Sequence, residues 1–105
     1  MTTTATSNNK IELLAPARRY LKKLKDKKLK EIFIAKLEEI RENPTEMGDA
    51  KVGDLDGIYT CGFRYLKVDY RIAYKIELND DGTLTIVIMV GPHENFYNNL
   101  KDYIY

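Results

Sequence analysis

Tyr70-Arg71-Ile72-Ala73-Tyr74-Lys75-Ile76-Glu77-Leu78 runs into Asn79-Asp80-Asp81-Gly82, and that cluster leads to Leu84-Thr85-Ile86-Val87-Ile88-Met89-Val90. In the first run Tyr70, Ile72, Tyr74, Ile76 and Leu78 alternate with Arg71, Ala73, Lys75 and Glu77. That two-residue period is the mark of a half-buried strand. The Asn-Asp-Asp-Gly cluster is a hairpin turn. The second run is apolar on both faces, which places it in the middle of a sheet. An antiparallel hairpin is therefore the spine of the fold.

Working backwards, Ile58 to Leu66 alternates as well. Tyr59, Cys61, Phe63 and Tyr65 share one face; Thr60, Gly62, Arg64 and Leu66 share the other. Three consecutive strands form a meander. Residues 45–57 hold three glycines and several acids and read as a long loop, a length often tied to function. Before it, Leu29, Ile32, Phe33, Leu37 and Ile40 recur at helical spacing, and Pro44 stops that helix near Asn43. Ala17, Tyr20, Leu21 and Leu24 mark an earlier helix, with Pro16 in its first turn. A break near Asp26 to Lys28 makes the pair a helical hairpin. Lys10 to Leu14 reads as a short first strand. Residues 1–9, rich in Thr, Ser and Asn, read as a flexible tail. After the sheet, Asn95 to Ile104 reads as a helix burying Phe96, Leu100, Tyr103 and Ile104. The expected fold class is α+β in the order β-α-α-β-β-β-α: a small antiparallel sheet packed against an N-terminal helical hairpin, with residues 10–105 forming one domain.

The composition narrows the function. The chain has 105 residues and a net charge of +1, so it offers no global basic signal for nucleic acid. Its charge is uneven: Arg18 to Lys30 is strongly basic and Glu46 to Asp56 mostly acidic. One cysteine, Cys61, leaves no internal disulfide and no multi-cysteine metal site. No segment reads as a membrane span or a signal peptide, so the expected setting is cytoplasmic. Zinc-ligand spacing, a phosphate-binding glycine loop and a nucleophile elbow are all missing.

Chemistry concentrates at Val90-Gly91-Pro92-His93-Glu94-Asn95-Phe96-Tyr97. Gly-Pro ends the last strand and sets the only histidine of the chain at a strand-to-helix corner. His93 can act as general acid or base, with Glu94 orienting it or serving as base, and Tyr97 at the rim. Arg64, Arg71 and Lys75 share the sheet face away from the helical hairpin. They are either the ordinary polar residues of a solvated face or a set of cations for phosphate oxygens. The lysines from Lys22 to Lys30 carry the same pair of readings.

Four pieces in order complete the pattern: Pro16-Ala17-Arg18-Arg19-Tyr20-Leu21-Lys22-Lys23-Leu24, Leu55-Asp56-Gly57, Asp69-Tyr70-Arg71-Ile72-Ala73-Tyr74 and Gly91-Pro92-His93-Glu94-Asn95-Phe96-Tyr97. With these pieces the chain resembles the RelE/ParE superfamily of toxins from type II toxin–antitoxin systems. The resemblance implies an RNA site on the sheet and a metal-free, ribosome-dependent mRNA endoribonuclease needing no cofactor. It implies a cognate antitoxin as partner, with mRNA and the ribosome as targets and no membrane partner. Carried onto this chain, it makes Arg71 the phosphate contact and matches His93 to a position that is basic or histidine in many nuclease members and Tyr97 to an aromatic one. Taken with the reading of the residues, the expected catalytic set is His93, Arg71, Tyr97 and Glu94, with Arg64, Lys51, Lys67 and Lys75 as RNA-binding residues. Two positions depart from the pattern: Asp56 and Leu66 stand where many members are basic. The alternatives are a ParE-like inhibitor of DNA gyrase without nuclease activity, or a degenerate toxin that only binds its antitoxin.

Overall fold

The computed structural model describes residues 8–105. A five-stranded sheet carries the helical hairpin on one face and a C-terminal helix on the other. The elements are β1 (Lys10–Leu13), α1 (Ala15–Lys23), α2 (Lys27–Glu42), a single turn α3 (Pro44–Met47), β2 (Asp49–Ala50), a 3-10 turn (Gly53–Leu55), β3 (Tyr59–Tyr65), β4 (Val68–Asn79), β5 (Gly82–Pro92) and α4 (Phe96–Ile104). The strand order is β1-β5-β4-β3-β2. The α+β class and the β-α-α-β-β-β-α backbone of the fold hold. Within that frame β1 joins β5 in parallel, because α1 carries the chain back over the sheet before the meander begins. The sheet is thus antiparallel except at this edge.

The helices start and stop where the chain provides caps. Asp26 accepts a hydrogen bond from the Leu29 backbone N–H at 3.1 Å and begins α2, satisfying one of the orphan donors of its first turn. Asn43 ends it, and Pro44 opens α3. The expected loop 45–57 therefore holds one helical turn, a two-residue strand paired to β3 and a 3-10 turn. Asn9, read as tail, is tied down: its carbonyl accepts from Arg41 and its side-chain oxygen accepts from the Thr83 N–H. Residues 1–7 of that tail lie outside the described residues.

The core lies between the sheet and the hairpin. Phe33 is fully buried, with edge-on ring contacts to Tyr20, Phe63 and Tyr70 at centroid distances of 5.9, 4.9 and 5.6 Å. Ile72, Tyr74, Val87 and Val90 belong to the same cluster. The opposite face is covered by α4 and the loop before β3: Leu55, Ile58, Ala73, Ile88, Phe96 and Leu100 form a second cluster. Tyr103 and Ile104 are exposed, not buried as their spacing suggests, because α4 rests on the sheet only through its first turns.

One irregularity joins the two clusters. Ala73 pairs with Met89 while Tyr74 pairs with Val87, so Ile88 is an extra residue on β5. Val87 and Val90 are three positions apart and would face opposite ways on a regular strand. The bulge turns both toward the hairpin, and turns Ile88 toward α4.

The hydroxyl of Tyr74 donates to the Pro44 carbonyl at 2.7 Å in the buried core. Its pKa is pushed well up, first by burial. Burial likewise pushes the Cys61 thiol from 9.0 to about 11. Both groups release protons more readily when unfolded, so the stability they contribute is complete below their unfolded pKa values and is lost as the pH rises toward the folded ones. Stability is therefore expected to fall progressively above about pH 9. Tyr74→Phe should lower it by ~1–2 kcal/mol at neutral pH, since the Pro44 carbonyl loses its buried donor, and should flatten the alkaline fall. Urea unfolding at pH 7 and pH 10 checks both.

Candidate nucleic-acid interface

The β4–β5 register sets which side chains share the face under α4. Arg71 lies opposite Gly62 on β3 and opposite Gly91 on β5. One step toward the β3–β4 turn on the same face, Asp69 lies opposite Arg64. Beyond Pro92 the pairing continues for one bond, in which the His93 N–H donates to the Asp69 carbonyl at 2.7 Å. Two rows thus cross three strands: Gly62, Arg71, Gly91, and then Arg64, Asp69, His93.

Gly62 matters for space rather than for torsion. A Cβ there would sit 2.7 Å from the Tyr70 carbonyl and 2.8 Å from Nη1 of Arg71. The guanidinium of Arg71 therefore lies across β3, in the notch the glycine leaves. Its Nε is buried without a hydrogen-bond partner. An orphaned charged donor is costly in a closed protein and is a natural seat for an incoming anion. Arg64, Asp69 and Arg71 line a recess of about 240 Å³ together with Gly62, Phe63 and Tyr70.

Beside this recess the corner at His93 rises into α4. The Phe96 N–H donates to the His93 carbonyl at 3.0 Å. Asn95 caps the helix in the left-handed region at φ 61°, a conformation asparagine tolerates better than most residues. The ring of His93 meets that of Tyr97 edge-on at 5.8 Å. Lys51 places its ammonium 5.4 Å from the centre of the Tyr97 ring, a cation–π contact. Lys101 pairs with Asp54 at 3.6 Å, and the Tyr105 hydroxyl bonds the Asp54 carbonyl, so α4 also clamps the loop that carries Lys51. His93 and Glu94 are exposed.

The residues singled out in sequence thus fall into two groups. Arg71, Arg64, His93, Tyr97 and Lys51 gather on one end of the face, with Glu94 at its rim. Lys75 does not join them: it lies four residues along β4 from Arg71, roughly 13 Å away, with Ala73 and the α4 cover between them. Lys67 leaves the face too. It and Leu66 are the two central residues of the β3–β4 turn, at φ 68° and 48°. That is the primed turn a two-residue hairpin requires, here without the usual Asn-Gly. Leu66, expected at the end of the strand, is an exposed turn residue. Gly62 and Asp69 escape a reading of the sequence as site residues; their signal lies in the pairing, which puts them beside the two arginines.

A separate groove of about 520 Å³ runs between α1 and the end of β5, lined by Arg19, Tyr20, Lys23, Leu24, Met89 and Val90 among others. It shares none of the site residues. It belongs to the basic side of the molecule, where among the described residues no ion pair engages Arg18 to Lys30.

The chain is thus a meander with a helical hairpin on one face and a recess lined by two arginines on the other. Residues 11–101 match the family model described as the ParE-like toxin of type II bacterial toxin–antitoxin systems, and the chain belongs to that family. A mutant of the toxin RelE from E. coli, solved in the free state, is 25% identical over 90% of this chain and 96% of its own, with a TM-score of 0.65. The toxin–antitoxin complex RelBE2 from Mycobacterium tuberculosis contains a chain 22% identical, covering 81% of this chain and 98% of that one, with a TM-score of 0.62. No curated protein matches in sequence comparison.

Gly62→Ala should push the Arg71 guanidinium off the sheet and, with its Cβ 2.7 Å from the Tyr70 carbonyl, shift the β3–β4 backbone locally as well. The Arg71 Nε–H resonance is expected to move to a solvent-exposed position. Affinity for a single-stranded oligonucleotide should fall about tenfold, the loss of one well-placed charge-assisted contact. An unmoved resonance would show that the notch does not seat Arg71.

Proposed function

We propose that this toxin is an endoribonuclease that cuts messenger RNA in the ribosome and so arrests translation. The observation that carries the reading is the seat of Arg71 between Gly62 and Gly91, one row from Arg64 and His93. The reaction asks for those parts. The ribose 2′-oxygen attacks the adjacent phosphorus, its proton passing to a base. The bond to the 5′-oxygen breaks, that oxygen takes a proton from an acid, and a 2′,3′-cyclic phosphate remains. Arg71 stabilises the charge that builds on the non-bridging oxygens, with Arg64 beside it. His93 gives or takes a proton, and Glu94 at the rim can serve as its partner. Tyr97, held by Lys51 and the His93 ring, offers an aromatic edge against a base. The lysines of α1 and α2 lie on the other side of the molecule, where they would contact ribosomal RNA phosphates.

The partner that silences such a site is an antitoxin. The RelBE2 neighbour was solved as a toxin–antitoxin complex, which supports a protein of that kind for this chain. The setting is the cytoplasm, where the message is translated; no helix among the described residues is long and apolar enough to cross a membrane.

A second reading, inhibition of DNA gyrase, draws on the ParE-like family match. It also draws on the low net charge of +1 and on Asp56 and Leu66, which stand where many members of the family are basic. The two readings separate in one set of strains. Under tight induction, wild-type protein should arrest growth and leave new mRNA ends within codons. His93→Ala and Arg71→Ala should each cut the cleavage rate by ~10²–10⁴ and relieve the arrest. Arrest that persists in both variants, with supercoiling lost in a purified gyrase assay, would favour the second reading.

A further inference from the structure

The two arginines of the recess are not equivalent. Arg71 makes no ion pair among the described residues, and its Nε has no partner. Arg64 faces Asp69 directly across the β3–β4 ladder, and Nη1 lies 3.9 Å from the carboxylate. The same Asp69 is flanked on its other side by His93, whose N–H it holds through its carbonyl. A carboxylate therefore stands in the middle of the row that a phosphate strand would have to cross.

We propose that Asp69 is a specificity-determining residue: its carboxylate occupies Arg64 in the free protein and must be displaced before a second backbone phosphate can enter the recess. The inference rests on the reading of this face as an RNA site. Its physics is competition between anions. The Arg64 and Asp69 side chains are 68% and 53% exposed, so their attraction is weak and solvent-screened, and a stronger anion can replace it. An isolated phosphate at Arg71 meets Asp69 two positions along the same strand face, a like charge at roughly 7 Å, and gains nothing from Arg64. A strand carrying successive phosphates engages Arg71 with one and displaces Asp69 with the next. The pair thus selects a polyanionic chain over single anions.

Asp69 acts through its side chain alone in this role, because its backbone carbonyl makes the bond to His93. Replacement by asparagine therefore tests the carboxylate without removing that bond. The measurement is the affinity for a 2′-O-methylated twelve-nucleotide RNA, which binds without being cut, by fluorescence anisotropy. The proteins are wild type, Asp69→Asn, Arg64→Gln, the double variant, Arg71→Ala, and Glu77→Gln, which removes an exposed acid elsewhere on β4. Asp69→Asn should bind about threefold more tightly, and inorganic phosphate should compete better against it than against wild type. Arg64→Gln should cost less than twofold in the wild-type background but about fivefold when combined with Asp69→Asn, a non-additivity expected only of interacting groups. Additive effects, or an equal gain from Glu77→Gln, would overturn the role of Asp69. If Asp69→Asn changes nothing while Arg71→Ala still abolishes binding, this inference fails and the RNA reading stands. If Arg71→Ala also has no effect, both fall.

Discussion

The pairing of β4 with β5 is the constraint on which the molecule depends. It begins at the two-residue turn between Asn79 and Gly82, runs past the extra residue Ile88 and continues to Pro92. A one-residue slip would send every side chain of a strand to the other face. Here it would bury Arg71 under α2 and expose Ile72 and Tyr74. The apolar side chains of β4 that meet Phe33 hold the register, because only one register keeps them there. The site inherits its geometry from that packing, and the cations need no interactions of their own to be aligned.

The bulge extends the same constraint. β5 has to satisfy the hairpin with Val87 and Val90, and α4 with Ile88, within four residues. A regular strand cannot, since its faces alternate. The inserted residue changes the phase once, and past it β5 delivers Gly91 opposite Arg71 and His93 beside Asp69. The covering helix and the candidate acid–base residue are thus consequences of one irregular position. Bulges recur near functional sites for this reason: they re-aim the side chains downstream of them.

Much of this is legible in the sequence, and the parts that are not share a cause. The half-buried strand, the hairpin turn, the helical stripes and the stop at Pro44 are local patterns, so they can be read from neighbours in the chain. Arg71 and Arg64 on a common face follow from alternation alone. The parallel docking of β1 does not, because nothing local tells a first strand which edge to join. Lys75 is misplaced for a similar reason. Alternation gives its face correctly but says nothing of α4, which lies over Ala73 and divides that face in two. Lys67 and Leu66 are hidden by chemistry: a primed turn normally announces itself with Asn-Gly, and here the strands impose it on a leucine and a lysine. Gly62 and Asp69 are site residues only through their partners across the ladder, a relation that exists once the register is known.

That dependence on register bears on how charge is used in this chain. With a net charge of +1, the protein cannot attract a phosphate backbone by its overall field. Any affinity for nucleic acid has to come from local arrangement. The basic residues of α1 and the start of α2 form one such arrangement, and the acids between β2 and β3 offset them in the total. The recess is a second, smaller one. There the Arg71 guanidinium has its Nε buried and unpartnered in a glycine notch, and a donor already stripped of water would give up less on meeting an anion than a solvated lysine would. The arrangement has a drawback: a bare cation will hold any anion that reaches it. A neighbouring carboxylate on the same strand answers this without adding a residue to the fold, since the Asp69 backbone already has to be there to carry the carbonyl that anchors His93.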